Sequence, residues 1–163
     1  METSRAPAGD DFAPHAWHDN LVYEIRLVRG DPERNDWRSE LVLGLDHILE
    51  WLADGQGGMR FRIAPARLVF SDVTDLVVAL DWGDSGCRVA LNEVSIDRIE
   101  RDRLPESEQK ICLDRPYYRW RIETNLPTGG RFSFGASGYR QDLLGPAILC
   151  DQPWLPPDRR PAV

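Results

Sequence analysis

The sequence predicts a mainly β protein: an antiparallel meander forming a sandwich or barrel-like sheet, with little helix. Three observations carry this. Apolar and polar residues alternate at period two in one segment after another, which places alternate side chains on opposite faces of a strand. Turn signals rich in Gly, Pro and Asp separate those segments at short spacing. A helical period is almost nowhere sustained, and no internal repeat stands out.

Leu21 to Val28 reads as the first strand, with Leu21, Tyr23, Ile25 and Leu27 on one side and a break at Gly30-Asp31-Pro32. Ser39 to Leu52 fits two templates. Leu41, Leu43, Leu45, His47, Leu49 and Trp51 share one face of a strand, opposite Glu40, Asp46 and Glu50. A helix would gather Leu41, Leu45, Ile48, Leu49 and Leu52 into a stripe. The sustained alternation and the central Gly44 favour the strand. A turn over Ala53 to Gly58 leads into Met59, Phe61 and Ile63, which alternate with Arg60 and Arg62.

Pro65 lacks an amide donor, so a bulge or corner is expected there before Leu68 and Phe70 resume the pattern. Asp72 to Asp75 reads as a turn, and Leu76, Val78, Leu80 and Trp82 as the next strand. Gly83-Asp84-Ser85-Gly86 is a hairpin signal into Cys87 to Ile96. Arg98 to Lys110 is highly charged and reads as a loop or short exposed helix. Tyr118, Trp120 and Ile122 then oppose Tyr117, Arg119, Arg121 and Glu123. Pro127-Thr128-Gly129-Gly130 turns that strand into Arg131 to Ser137, and Gln141 to Leu144 suggests a short helical turn.

The domain reading follows: a disordered segment over residues 1–14, one β-rich domain over 15–152, and a loose Pro-rich tail over 153–163. The expected core is Leu41, Leu43, Leu45, Phe61, Leu76, Val78, Leu80, Trp120, Ile122, Phe132 and Phe134.

Charge and composition narrow the function classes. A formal net charge of -7 over 163 residues repels phosphate backbones, so nucleic acid is not an expected partner, while basic partners are tolerated. Lys110 is the one lysine among 20 basic residues, a bias that fits a GC-rich bacterial genome. Cys87, Cys112 and Cys150 are scattered and odd in number, which fits a reducing compartment rather than a disulfide framework. No stretch approaches the run of about 18 apolar residues that a membrane span needs. Met1 to Asp11 has no apolar core of a secretory signal, so a cytoplasmic location and no membrane are expected.

Four groups of residues invite chemistry. His15, His18 and Asp19, with Asp46-His47 further on, offer metal-ligand types. Neighbouring Asp46 and His47 point to opposite strand faces, however, and hydrogen bonding near the first strand explains the rest, so no metal and no cofactor are expected. Asp72, Asp75, Asp81 and Asp84 resemble an acid/base cluster, yet they stand where turns recruit Asp to bind backbone amides. Arg115, Tyr117, Tyr118, Arg119, Trp120 and Arg121 interleave bases and rings as single-strand nucleic-acid platforms do, but simple strand alternation gives the same sequence. Of these, Tyr117, Arg119 and Arg121 face outward and form the candidate protein interface, since Tyr and Arg concentrate binding energy. No Gly-x-Ser-x-Gly elbow is present, and Gly55-Gln56-Gly57-Gly58 and Gly135-Ala136-Ser137-Gly138 read as hairpin punctuation rather than phosphate loops.

Several pieces carry a resemblance: Trp17-His18-Asp19-Asn20, the run Ala64 to Phe70 followed by Asp72 to Leu76, and Trp120 to Glu123 leading to Phe132-Ser133-Phe134. In these the chain resembles an uncharacterised bacterial family of small cytoplasmic β-rich proteins. The early His-Asp pair is also similar to one found in immunity proteins of bacterial toxin systems, and it transfers no functional residue. The expected function is a non-catalytic protein-binding module, of inhibitor or immunity type, with a second copy as the other partner considered. A small-molecule-binding β-barrel or sandwich, and a hydrolase or metalloenzyme using His18, Asp19 and His47, are the rival readings.

Overall fold

A computed structural model describes residues 12–83 and 93–161. Within them run nine antiparallel strands: β1 (Leu21–Arg29), β2 (Ser39–Ala53), β3 (Met59–Ser71), β4 (Thr74–Ala79), β5 (Val94–Arg103), β6 (Tyr118–Leu126), β7 (Arg131–Ala136), β8 (Gly138–Leu143) and β9 (Ile148–Cys150). The helical content among the described residues is three single 3-10 turns. No helix among those residues is long and apolar enough to cross a membrane.

The strands form one sheet in the order β4-β7-β6-β5-β1-β2-β3-β8, with β9 also on β3, and the sheet is not closed. It behaves as two leaves. β1 meets β5 through only Leu21↔Ser95 and Val22↔Val94, which acts as a seam. Across the gap, Phe70 of β3 lies 5.0 Å from Trp120 of β6 and 4.8 Å from Phe134 of β7, both edge to face. Tyr139 of β8 and Phe12 close the same aromatic cluster on Trp120, at 5.7 and 5.5 Å. Leu41, Leu43, Leu68, Ile96, Ile99, Ile122 and Phe132 fill the space around it. A smaller core of Ile48, Phe61, Ile63 and Leu155 lies along the far part of the β2–β3 hairpin.

Ser39 to Leu52 is strand, as the alternation predicts, and the turn after it is tied by Asp54, whose Oδ1 accepts from the Gln56 and Gly58 amides. The face assignments differ at two bulges. One between Val22 and Glu24 reverses β1, leaving Ile25 and Leu27 exposed, the latter at 65%. The other, at Leu49 between Ile48↔Ile63 and Glu50↔Arg62, buries Ile48 and leaves Leu49 and Trp51 exposed. Asp46, expected on the wet face, is fully buried.

Further expectations need correction. No bulge marks Pro65, which pairs with Asp46 inside a continuous β3. It falls between β8 on Ala66–Ser71 and β9 on Phe61–Ile63, where the missing donor breaks no ladder. The charged stretch from Arg98 is strand as far as Arg103. Its charges are matched across β5 and β6 by Arg98–Glu123 at 2.7 Å and Arg121–Glu100 at 3.3 Å. Gln141 to Leu143 belongs to β8 rather than to a helical turn, because it pairs with Ala66 to Leu68. Among the expected core residues Val78 is 45% exposed on the outermost strand β4, and Leu76 and Leu80 are only partly covered. The remainder of that set is buried.

Both ends of the described chain are seated. Phe12 packs tilted against Trp17 and edge to face on Trp120, and Pro14 accepts the Ile99 amide, so the end of the segment expected to be disordered is fixed. The tail expected to be loose instead buries Leu155 completely and pairs Arg160 with Asp46. Of the hairpin expected at Gly83 to Gly86, all but Gly83 lies outside the described residues, as does most of Cys87 to Ile96, with β5 beginning at Val94.

Candidate functional site

Two strands cross between the leaves at one place. β3 becomes β4 through Asp72 and Val73, and β7 becomes β8 through Ser137. The ladders follow the bend, β3 pairing with β8 and β4 with β7. Asp72 and Asp75 take left-handed backbone, at φ 57° and 52°, a conformation that Asp tolerates better than most side chains. The Asp72 carboxylate accepts from the Ser137 hydroxyl and from Arg115, whose Nε and one terminal nitrogen lie at 3.2 and 2.7 Å. The Tyr117 hydroxyl donates to the Asp72 carbonyl at 2.8 Å and is 2.9 Å from Thr74 Oγ1. The bonds to the Asp72 carboxylate are charge-assisted, and together with those of Tyr117 they tie the corner to the segment that leads into β6.

Outside the corner lies an open polar cleft of about 410 Å³. Arg38, Arg115 and Arg140 line it together with Glu40, Asp72 and Ser137. Each guanidinium is steadied by a carboxylate: Arg38 by Asp36 at 2.7 Å, Arg115 by Asp72, and Arg140 by Glu40 at 3.4 Å. The hydrogen bonds from Arg38 bring the Asp36 carboxyl down to about 2. One residue before Arg38 stands Trp37, 72% exposed, its indole N–H bonded to Asn35 Oδ1 at 3.1 Å.

The residues singled out from the sequence meet different fates. Tyr117 is 1% exposed: its ring packs over Gly135, where a Cβ would come within 2.7 Å of it. Burial, with the Asp72 charge adding to it, raises the Tyr117 phenol above its usual range. It is therefore a support for the corner rather than an interface residue. Arg119 and Arg121 do face solvent, but β6 sits between β5 and β7 and is not an edge strand, and Arg121 pairs with Glu100.

His15 and His18 have ring centroids 6.3 Å apart, and His18 Nδ1 lies 2.9 Å from the Asp97 carbonyl. His47 bonds elsewhere, to Asn20 Nδ2 at 2.8 Å, and Asn125 donates to Asp19. Among the described residues no three His, Cys, Asp or Glu side chains gather around a point that one ion would occupy. Asp81 caps the Gly83 amide at 2.8 Å and Asp75 is exposed, so neither joins Asp72, while Asp84 lies outside the described residues. Arg38 and Arg140 escaped the sequence reading, and Arg115 was grouped with the strand after it, because the three cleft arginines come from three separate segments. Only the bend at Asp72 to Asp75 marked the place.

No protein-family model matches this chain, and no curated protein or solved structure matches it either.

Proposed function

We propose that the chain is a non-catalytic module that binds another protein, with Trp37 and the arginine-lined corner cleft as its contact surface. The observation that carries this reading is the exposed Trp37, adjacent in the chain to Arg38, which with Arg115 and Arg140 brings three carboxylate-paired guanidiniums to one cleft. Trp and Arg are the side chains that most often concentrate interface energy, and their preorganisation here lowers the ordering cost of binding. The mixed arginines and carboxylates suit a partner surface that itself carries both signs. The small-molecule reading has less support, because Phe70, Trp120, Phe134 and Tyr139 fill the space between the leaves. The Asp72 carboxylate is spent on Arg115 and Ser137, which speaks for a structural use rather than acid/base work.

The test takes a partner captured by the parent chain, identified and purified, and compares its affinity for the parent with that for a Trp37→Ala/Arg38→Ala variant. Both side chains are exposed, so the variant should fold as the parent does. A loss of about tenfold or more is expected from removing two such contacts. A folded variant that binds the purified partner as tightly as the parent removes this surface from the interface.

A further inference from the structure

The C-terminal segment is held as a ligand is held. Ladder bonding ends with β9 at Cys150. Beyond it, among the described residues, the backbone of residues 155–160 bonds to the rest of the fold through the Leu155 amide, on Asp46 Oδ2 at 3.0 Å. The amides of Arg159 and Arg160 bond within the segment, to Pro156 and Pro157. Two side chains do the anchoring. Leu155 is fully buried among Ile48, Phe61 and Ile63. Arg160 grips Asp46 with Nε at 3.1 Å and a terminal nitrogen at 2.7 Å, its guanidinium 5.0 Å over the Tyr23 ring. Pro153, Pro156, Pro157 and Pro161 stiffen the intervening chain, so little freedom is lost when it docks.

The receiving surface belongs to β1, β2 and β3 and ends in a carboxylate that water does not reach. A buried carboxylate without a partner is strongly unfavourable, so the groove selects a guanidinium in addition to an apolar side chain. We propose that this groove is a peptide-binding site for a segment bearing Leu and Arg five positions apart, and that a second copy of this chain supplies it, two copies exchanging residues 152–161. The short connection after Cys150 gives the chain's own tail a millimolar effective concentration, so exchange shows itself after refolding at high concentration rather than in dilute solution.

The probe is a fluorescein-labelled peptide of residues 152–163, offered to the full chain carrying Arg160→Ala, with folding checked by circular dichroism. Saturable binding is expected, at least tenfold weaker for the same peptide with Arg160→Ala. A folded variant that binds neither peptide, or both equally, overturns the site. Should that variant fail to fold, the parent is cut after folding at a protease site inserted behind Gln152. Displacement of the cut tail by a hundredfold excess of labelled peptide supports the proposal, and a tail that stays in place overturns it. The parent chain refolded at high concentration is then expected to give dimers by light scattering, reversed by slow dilution with excess peptide. A chain that remains monomeric up to its solubility limit overturns the exchange between copies.

Discussion

Acid should destabilise this protein through one imidazole. Asn20 Oδ1 accepts the Ile48 amide at 3.2 Å, which turns its Nδ2 toward His47 Nδ1 at 2.8 Å. The ring nitrogen facing Asn20 is therefore an acceptor, and the neutral ring carries its proton on Nε2. Protonation would set two donors against each other, and burial lowers the His47 pKa to about 4. The unfolded chain, at the ordinary value of about 6.5, binds more protons between those limits, so stability falls as pH drops from about 6.5 towards 4. A depression of that size amounts to about 3 kcal/mol in full and about 2 kcal/mol at pH 5. Urea unfolding at pH 8 and pH 5 reads it, with His47→Gln as the reference, since Gln offers Asn20 an acceptor and does not titrate. The parent should lose about 2 kcal/mol more than the variant between those pH values. Equal losses, or an NMR titration of His47 near 6.5, would refute the argument.

Two further expectations concern packing. Phe70→Ala removes a ring that touches both Trp120 and Phe134, so chemical denaturation should show a loss of about 3–5 kcal/mol, and a loss below about 1 kcal/mol would mean the leaves do not pack through it. Gly135→Ala pushes a methyl to 2.7 Å from the Tyr117 ring and 2.8 Å from Thr74 Oγ1, which should cost about 1–3 kcal/mol, and a double-mutant cycle with Tyr117→Ala should show strong coupling between the two sites.

Strand existence was legible because period two survives in a half-buried sheet: Leu41, Leu43 and Leu45, or Phe132 and Phe134, alternate and are buried together. Facing was less legible. A bulge changes which residues point inward without leaving a compositional mark, and the one at Leu49 exposes Trp51 while burying Ile48. Pairing was legible only where a tight turn joins neighbours, as in β2–β3 and β6–β7. Arg98 to Arg103 looks like a loop until Glu123 and Arg121 stand opposite it, and Gln141 to Leu143 looks helical until β3 supplies its ladder. The tail failed for the same reason: a Pro-rich sequence reads as loose, and nothing local announces that Asp46, 114 positions away from Arg160, is waiting for it.

The same long-range logic explains why the candidate cleft sits where it does. Asp72 to Asp75 reads as a turn between two strands, and it is one in the sense that Asp72 and Asp75 leave the extended conformation. Its partner strand bends beside it at Ser137, however, so the ladder continues around the corner: Ser71 pairs with Gly138 and Thr74 with Gly135. A double bend of this kind strips some carbonyls of ladder partners, and buried backbone groups must be satisfied. Here the Ser137 amide donates to the Ser71 carbonyl, the Val73 amide to the Ser39 carbonyl, and Tyr117 to the Asp72 carbonyl. That satisfaction recruits Tyr117 inward and draws Arg115, two residues earlier, onto the Asp72 carboxylate. The guanidinium at the cleft is thus placed by the needs of the bend. A guanidinium held by the fold's own hydrogen bonding in this way has less freedom to lose when a partner arrives, which is the reason for placing the proposed contact surface at the corner.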